Sequence, residues 1–280
     1  MSSRMKSACV LVSKRHIGLH IGHTSQNTQD MPSPQDPSIK HFFEERHADI
    51  VKMGQDEELK RKSIEWMVHA DKYKYTYNFT WMGRPIIKFP SDMIIQQELM
   101  WQIKPDLVIE TGIAHGGSII FSASMQQMMG INHGRVIAVD IDIREHNRKE
   151  IEAHPMAEHI TMIEGSSVDV AIFNRVKELT KDAKSVMVVL DSNHTHQHVY
   201  EELKLYADLV TVGSYCILPD TFIEFFPKGY YSNRPWDVGN NPCTAARTFL
   251  SERPDFELDS FLTSKGMISE GLDGYLKRIA

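Results

Sequence analysis

The stretch Asp106–Ser118, DLVIETGIAHGGS, decides the fold. Its first half is an apolar run without alternation, the pattern of a strand buried on both faces; a strand with one wet face shows a polar residue at every second position. Its second half turns through Gly112, Gly116 and Gly117 into a helical stretch. The same sequence of events repeats downstream. Strand-like runs at Arg135–Asp142 (RVIAVDID), Ile160–Glu164, Ser185–Asp191 (SVMVVLD) and Tyr215–Asp220 (YCILPD) alternate with helical stretches over Arg144–Ala153, up to Leu179 and up to Ala207. Parallel neighbours need long right-handed crossovers, and these are usually helices. The chain therefore reads as α/β with a largely parallel, Rossmann-like sheet. After a helix over Pro242–Ser251, two short strands, Phe256–Asp259 and Gly274–Ile279, are expected with no helix between them, as a hairpin closing one edge.

Upstream of the alternation, Asp92–Trp101 is helical and Pro105 punctuates it. The aromatic run Tyr73–Trp81 leads into a turn at Gly83, Arg84 and Pro85. Between Ile39 and Ala70, apolar residues spread among charges predict short amphipathic helices that pack on the main domain or on a neighbouring subunit. Thr24–Ser38 is crowded with polar residues and three prolines and reads as a linker or mobile arm. The expected division is a leader over 1–38, a helical and aromatic segment over 39–90, and the α/β domain over 91–280.

Composition bounds what such a chain does. Of 280 residues 41% are hydrophobic, enough for a core, while a mean hydropathy of -0.33 argues against a bundle of membrane spans. A net charge of -6 supplies no overall basic field for nucleic acid or an anionic membrane. Cys9, Cys216 and Cys243 form no CxxC pair and fit a reducing compartment, so the cytoplasm is expected. The basic start, Met1–Lys14, contains an apolar stretch too short for a signal-peptide core.

In open parallel sheets ligands bind outside the carboxyl ends of the strands. Here those ends carry Glu110, Asp140, Glu164, Asp191 and Asp220 on one rim. Glycines in the first turn let a ligand approach closely, and the free amides of the next helix attract anionic groups. The spacing is a loose version of the dinucleotide fingerprint, with Ala114 in place of its second glycine. Asp140 suits a ribose diol in either a nicotinamide or an adenosyl cofactor. Glu110 separates the two: beside a pyrophosphate a carboxylate is repelled, whereas the ammonium or sulfonium end of S-adenosylmethionine attracts it.

The stretches IETGIAHGGS (109–118), VIAVDID (136–142), VLDSNH (189–194), GSYCILPDT (213–221), GNNPCTAARTFL (239–250) and DGYLKR (273–278) resemble those of the bacterial family labelled cephalosporin hydroxylase or rhamnosyl O-methyltransferase, from about Tyr73 onward. More distantly the motif order is similar to the metal-dependent catechol O-methyltransferase type. The resemblance implies a class I methyltransferase with a seven-stranded sheet whose last strand is antiparallel. It implies Glu110, Gly112, Gly116 and Ser118 at the methionine end of S-adenosylmethionine, Asp140 on the ribose, and Ser167 or Ser166 beside the adenine. Asp191 and Asp220 would hold Mg²⁺, with Asp191 also bordering the cofactor. Where some relatives carry an acidic residue this chain has Pro219, leaving a third ligand to Thr221, Glu224 or water. The family also implies a homo-oligomer and a small-molecule or glycan acceptor.

The chemistry of the residues agrees with a hard metal: carboxylates on adjacent strand ends with no cysteine cluster favour Mg²⁺ or Mn²⁺. The metal would bind a substrate hydroxyl while His194, placed where catechol-type relatives have their catalytic lysine, accepts the proton. Imidazole changes charge near neutral pH, which suits a base. Plainer readings stand beside these. Asp140 and Asp191 could cap the following helices, His194 could only cap the helix or orient Asp191, or His196 could play the base, and Trp81, Trp101 and Trp236 could be core or interface residues. The loop Phe225–Asn241 is either acceptor-facing or a lid without binding chemistry. The leading expectation is a Mg²⁺-dependent O-methyltransferase acting on a sugar or polyhydroxylated acceptor. An NAD-dependent oxidoreductase and a noncatalytic partner in a biosynthetic or hydroxylase complex are the alternatives; no His-x-Asp iron motif is evident for hydroxylation by the chain itself.

Overall fold

The computed structural model describes residues 37–280, so the expected leader lies outside the described residues except for its last two positions. The described residues begin with two helices, α1 (Pro37–Gln55) and α2 (Glu57–Asp71). Asp56 separates them, its side chain accepting from the Leu59 amide to cap α2. A small hairpin follows, β1 (Phe79–Trp81) against β2 (Arg84–Ile86), and then α3 (Pro90–Ile103), which carries proline in its first turn where no amide partner is lost.

The alternation begins at β3 (Leu107–Thr111), all five residues of which are buried. It continues through α4 (Gly117–Met128), β4 (Arg135–Asp140), α5 (Glu145–Glu152), β5 (Ile160–Glu164), α6 (Val170–Leu179), β6 (Val186–Leu190), α7 (His196–Tyr206) and β7 (Tyr215–Ile217). The chain closes with α8 (Pro242–Glu252), β8 (Phe256–Leu258), α9 (Ser260–Gly266) and β9 (Tyr275–Arg278). The sheet order is β5-β4-β3-β6-β7-β9-β8. Strands β3 to β7 are parallel, and β9 runs antiparallel to both β7 and β8.

The two C-terminal strands do pair, but not as a hairpin, because α9 stands between them. Asp259 caps α9 by accepting from the Leu262 amide, and only Leu262 and Gly266 of its seven residues are buried. Two buried positions are too few to show a helical period in sequence. The helix supports α1, where His47 stacks on Phe261 with centroids 4.7 Å apart.

Each face of the sheet is covered by its own core. Leu107, Ile109, Val188 and Leu190 pack towards α6, α7 and α8; Val108, Met187 and Val189 pack towards α3 and α4. A third cluster, Met67, Phe89, Phe222, Ile223, Phe226 and Leu272, ties α2 to the loop after β7. None of the described helices is long and apolar enough to cross a membrane. Strand order reverses between β3 and β6, and a crevice opens at their carboxyl ends.

Candidate active site

The turn after β3 is shaped by what it must pass. Gly112 has φ of +90°, and a Cβ there would lie 2.0 Å from the Asp191 carbonyl oxygen, so the ends of β3 and β6 approach more closely than a side chain permits. Asp140, at the end of β4, grips the turn. Its Oδ2 accepts from the Ile113 amide at 2.8 Å and the Ala114 amide at 3.4 Å, and its Oδ1 accepts from the Asp142 amide at 3.0 Å. At Gly117 a Cβ would meet the Pro85 carbonyl oxygen at 2.2 Å; the β1–β2 hairpin is thereby pressed onto the start of α4 and delivers Lys88 to the crevice.

These strand ends and loops enclose a cavity of about 330 Å³. Its lining includes Gly112, Ser118, Asp140, Asp191, Ser192, His194 and Asp220 from the expected rim, with Lys88, Glu270, Tyr77, Tyr231 and Trp236 from loops outside the alternation. Asp191, His194 and Asp220 each present one ligand atom, all within 4.8 Å of one another. His194 Nδ1 lies 3.4 Å from Asp220 Oδ2, and its ring meets Trp236 edge-on at 4.6 Å between centroids. Asp220 takes a left-handed backbone, φ +58°, a conformation that aspartate tolerates better than most residues and that turns the chain sharply after β7.

The electrostatics are those of a site short of positive charge. Asp92, Glu110, Asp191 and Glu270 all act on one buried ammonium, Lys88, which in turn acts on Asp220. Its Nζ lies 3.3 Å from Asp191 Oδ2 and 3.9 Å from Glu270 Oε2. Burial works against the lysine's charge, and the carboxylates together more than offset it, holding the group above the usual lysine range. Burial, opposed by His194 and reinforced by Asp191, pushes Asp220 up. Burial also pushes Glu270 well above the usual carboxylate range despite Lys88. Glu110 is 1% exposed. One of its oxygens accepts from the Ser118 hydroxyl and the other, Oε2, has no partner among the described residues. Burial raises its carboxyl to about 7.

Several expected residues sit elsewhere. Neither Thr221 nor Glu224 completes the metal set: Thr221 is buried and donates to the Glu270 carbonyl at 3.0 Å, and Glu224 Oε2 accepts from the Gly239 amide and Asn241 Nδ2, stapling the loop Phe225–Asn241. His196 turns to α8, with Nδ1 2.8 Å from Thr244 Oγ1. Gly116 is fixed by the close approach of Ile151 and is not in the cavity wall. Ser166 and Ser167 stand beyond that wall, and Ser167 Oγ lies 3.1 Å from His198 Nε2. Lys88 and Glu270 escaped the sequence reading. Lys88 had a signal: it is the lone charge in the apolar run Ile86–Phe89. Glu270 had none.

The strand order with one reversed strand, together with a carboxylate-rimmed cavity at the switch point, defines the class I methyltransferase fold. Residues 73–279 match the family described as Rhamnosyl O-methyltransferase/CmcI, and the chain belongs to that family. It is 30% identical over 201 residues to the rhamnosyl O-methyltransferase of Mycobacterium leprae (strain TN), covering 71% of this chain and 82% of that protein. It is 29% identical over 204 residues to the rhamnosyl O-methyltransferase of Mycobacterium tuberculosis (strain H37Rv), covering 71% and 78%. Among solved structures, CmcI with Mg and SAM superposes with a TM-score of 0.52 at 21% identity, over 73% of this chain and 78% of that one. CmcI with SAH gives 0.52 at 22% identity, over 72% and 83%. At such identity the likeness is one of fold.

Proposed function

We propose that the protein is a Mg²⁺-dependent O-methyltransferase that moves a methyl group from S-adenosylmethionine to a hydroxyl of a sugar or other polyhydroxylated acceptor. The observation that carries this reading is the convergence of Asp191, His194 and Asp220 beside the glycine turn in one cavity. The residues fit both groups. A divalent cation supplies the positive charge that the carboxylate cluster lacks, and its preference for oxygen assigns Asp191 and Asp220 as ligands. Glu110 stands outside the cavity wall, joined to Ser118, which lines it, so its carboxylate with the unpartnered Oε2 would act on the ammonium of the methionine end from behind Ser118 or through water. Asp140 keeps lone pairs for ribose hydroxyls while holding the turn. Ser166 and Ser167, in the loop after β5, are the residues this reading gives to the adenine.

When bound, the metal lowers the pKa of a coordinated hydroxyl and S-adenosylmethionine supplies an electrophilic methyl group. The chain's own residues do the rest. With Nδ1 facing Asp220, the imidazole of His194 has Nε2 free to take the acceptor's proton, and Trp236 packs edge-on against the ring to hold its orientation. Lys88 is held protonated by its carboxylate neighbours, so it orients Asp191 and does not serve as the base. The aromatic wall of Tyr77, Tyr231 and Trp236 offers apolar faces for a sugar ring.

Isothermal titration with S-adenosylhomocysteine, with and without Mg²⁺, tests the cofactor half. Transfer of labelled methyl to p-nitrophenyl rhamnoside and a panel of simple glycosides tests the other. The expected result is nucleoside binding by the wild type, and methyl transfer that needs Mg²⁺ and is lost in Asp220→Asn. Full turnover by Asp220→Asn, or no affinity for the nucleoside, would overturn the reading.

A further inference from the structure

Behind the cavity lies a polar cluster built around Glu202 and His198, two residues to which the proposed chemistry gives no role. Glu202, on α7, is 0% exposed. Its Oε1 accepts from the Ser192 hydroxyl at 2.7 Å and lies 3.6 Å from His198 Nε2, while its Oε2 has no partner among the described residues. The same His198 nitrogen is 3.0 Å from Ser192 Oγ and 3.1 Å from Ser167 Oγ. Ser192 follows β6 and lines the cavity; Ser167 follows β5. The imidazole therefore bridges the loops after β5 and β6, the two strands that flank β4 and β3 in the sheet, on the face covered by α6 and α7.

A hydroxyl has one proton to give. Ser192 gives its proton to Glu202, so its contact with His198 Nε2 is a hydrogen bond when the ring carries its hydrogen on Nε2 and donates. Ser192, which lines the cavity, then has a lone pair and no hydrogen to offer a ligand. A hydroxyl free to rotate accepts from one ligand and donates to another; this one is locked as an acceptor. Its partner must carry N–H or O–H. A purine that reaches this part of the crevice, with its ribose at Asp140, presents a 6-amino donor in adenine and a 6-oxo acceptor in hypoxanthine.

We propose that Glu202 is a positioning residue that locks Ser192 as a hydrogen-bond acceptor and so selects a 6-amino over a 6-oxo purine at the nucleoside end of the cofactor. The inference rests on the methyltransferase reading above. Its test compares S-adenosylhomocysteine with S-inosylhomocysteine by titration calorimetry in the wild type, Ser192→Ala and Glu202→Gln. An acceptor facing an acceptor leaves a desolvated group unpaired, so the wild type should bind the inosyl compound about tenfold to a hundredfold more weakly. Glu202→Gln can donate an amide hydrogen to Ser192 and release its proton to the cavity, so the ratio should fall to near one; Ser192→Ala should bring it to the same place. A loss of affinity from general disorder would weaken both compounds alike and leave the ratio unchanged. An unchanged ratio in Ser192→Ala, which removes one half-buried oxygen and tests the idea even if Glu202→Gln does not fold, overturns the proposal. Failure of the wild type to bind S-adenosylhomocysteine overturns instead the function on which it rests.

Discussion

Glu110→Gln is the substitution whose effect can be worked furthest. The side chain is buried at the end of β3, and its carboxyl is raised by that burial from the ordinary 4.5 to about 7. A raised value means that the folded state holds the proton more tightly than the unfolded chain. The resulting stabilisation is complete below pH 4.5 and is lost as pH climbs to about 7. At about 1.4 kcal/mol per pH unit, the gap amounts to roughly 3.5 kcal/mol. Glutamine keeps the shape and the contact with Ser118 but cannot ionise, so it removes this loss. Urea denaturation of both proteins at pH 5 and pH 8 isolates the effect, because any fixed penalty of the amide cancels between the two pH values. The variant should gain roughly 2.5 kcal/mol on the wild type across that interval, since part of the effect is already spent at pH 5, while binding S-adenosylhomocysteine about tenfold more weakly for want of a charge opposite its ammonium. Unfolding free energies that run parallel from pH 5 to pH 8 would refute the reasoning.

Three further outcomes are expected. His194→Gln should lower kcat by about 10²- to 10⁴-fold with the nucleoside Kd little changed; an equal loss in binding, read by calorimetry, would make the residue a cofactor ligand. Lys88→Met leaves Asp191 and Glu270 without their buried counter-charge and should reduce unfolding free energy by about 3–5 kcal/mol, which an unmoved urea midpoint would disprove. Gly112→Ala forces a methyl to 2.0 Å from the Asp191 carbonyl oxygen at φ +90°. It should cost more than about 3 kcal/mol, whereas Gly83→Ala, with nothing within 4 Å, should cost only about 1–2 kcal/mol for its backbone alone; equal midpoints for the two variants would show that the close approach is not tight.

Most of the scaffold was legible because β3, β4 and β6 are buried on both faces, and such strands cannot be written in any other residues. The strand-end carboxylates were legible for the same reason: a charge directly after a run like VIAVD or VMVVLD has no place but the rim. What lay outside the alternation was not. Lys88 and Glu270 reach the cavity from the segment before α3 and from the loop after α9, and nothing in their spacing relates them to Asp191. Thr221 and Glu224 had suitable chemistry, yet their side chains are spent on the Glu270 carbonyl and on Asn241, contacts that only the folded loop creates. The helix α9 was hidden by its shortness.

The placement of β9 between β7 and β8 couples the edge of the sheet to the cavity. The segment leading into β9 carries Ser269 and Glu270, whose hydroxyl and amide donate to Asp92 on α3. Glu270 is also one of two carboxylates within 4.0 Å of Lys88, the other being Asp191. A substitution that frees β9 from its neighbours is therefore expected to slacken one flank of the crevice as well, so that damage at the margin of the sheet registers as weakened ligand binding.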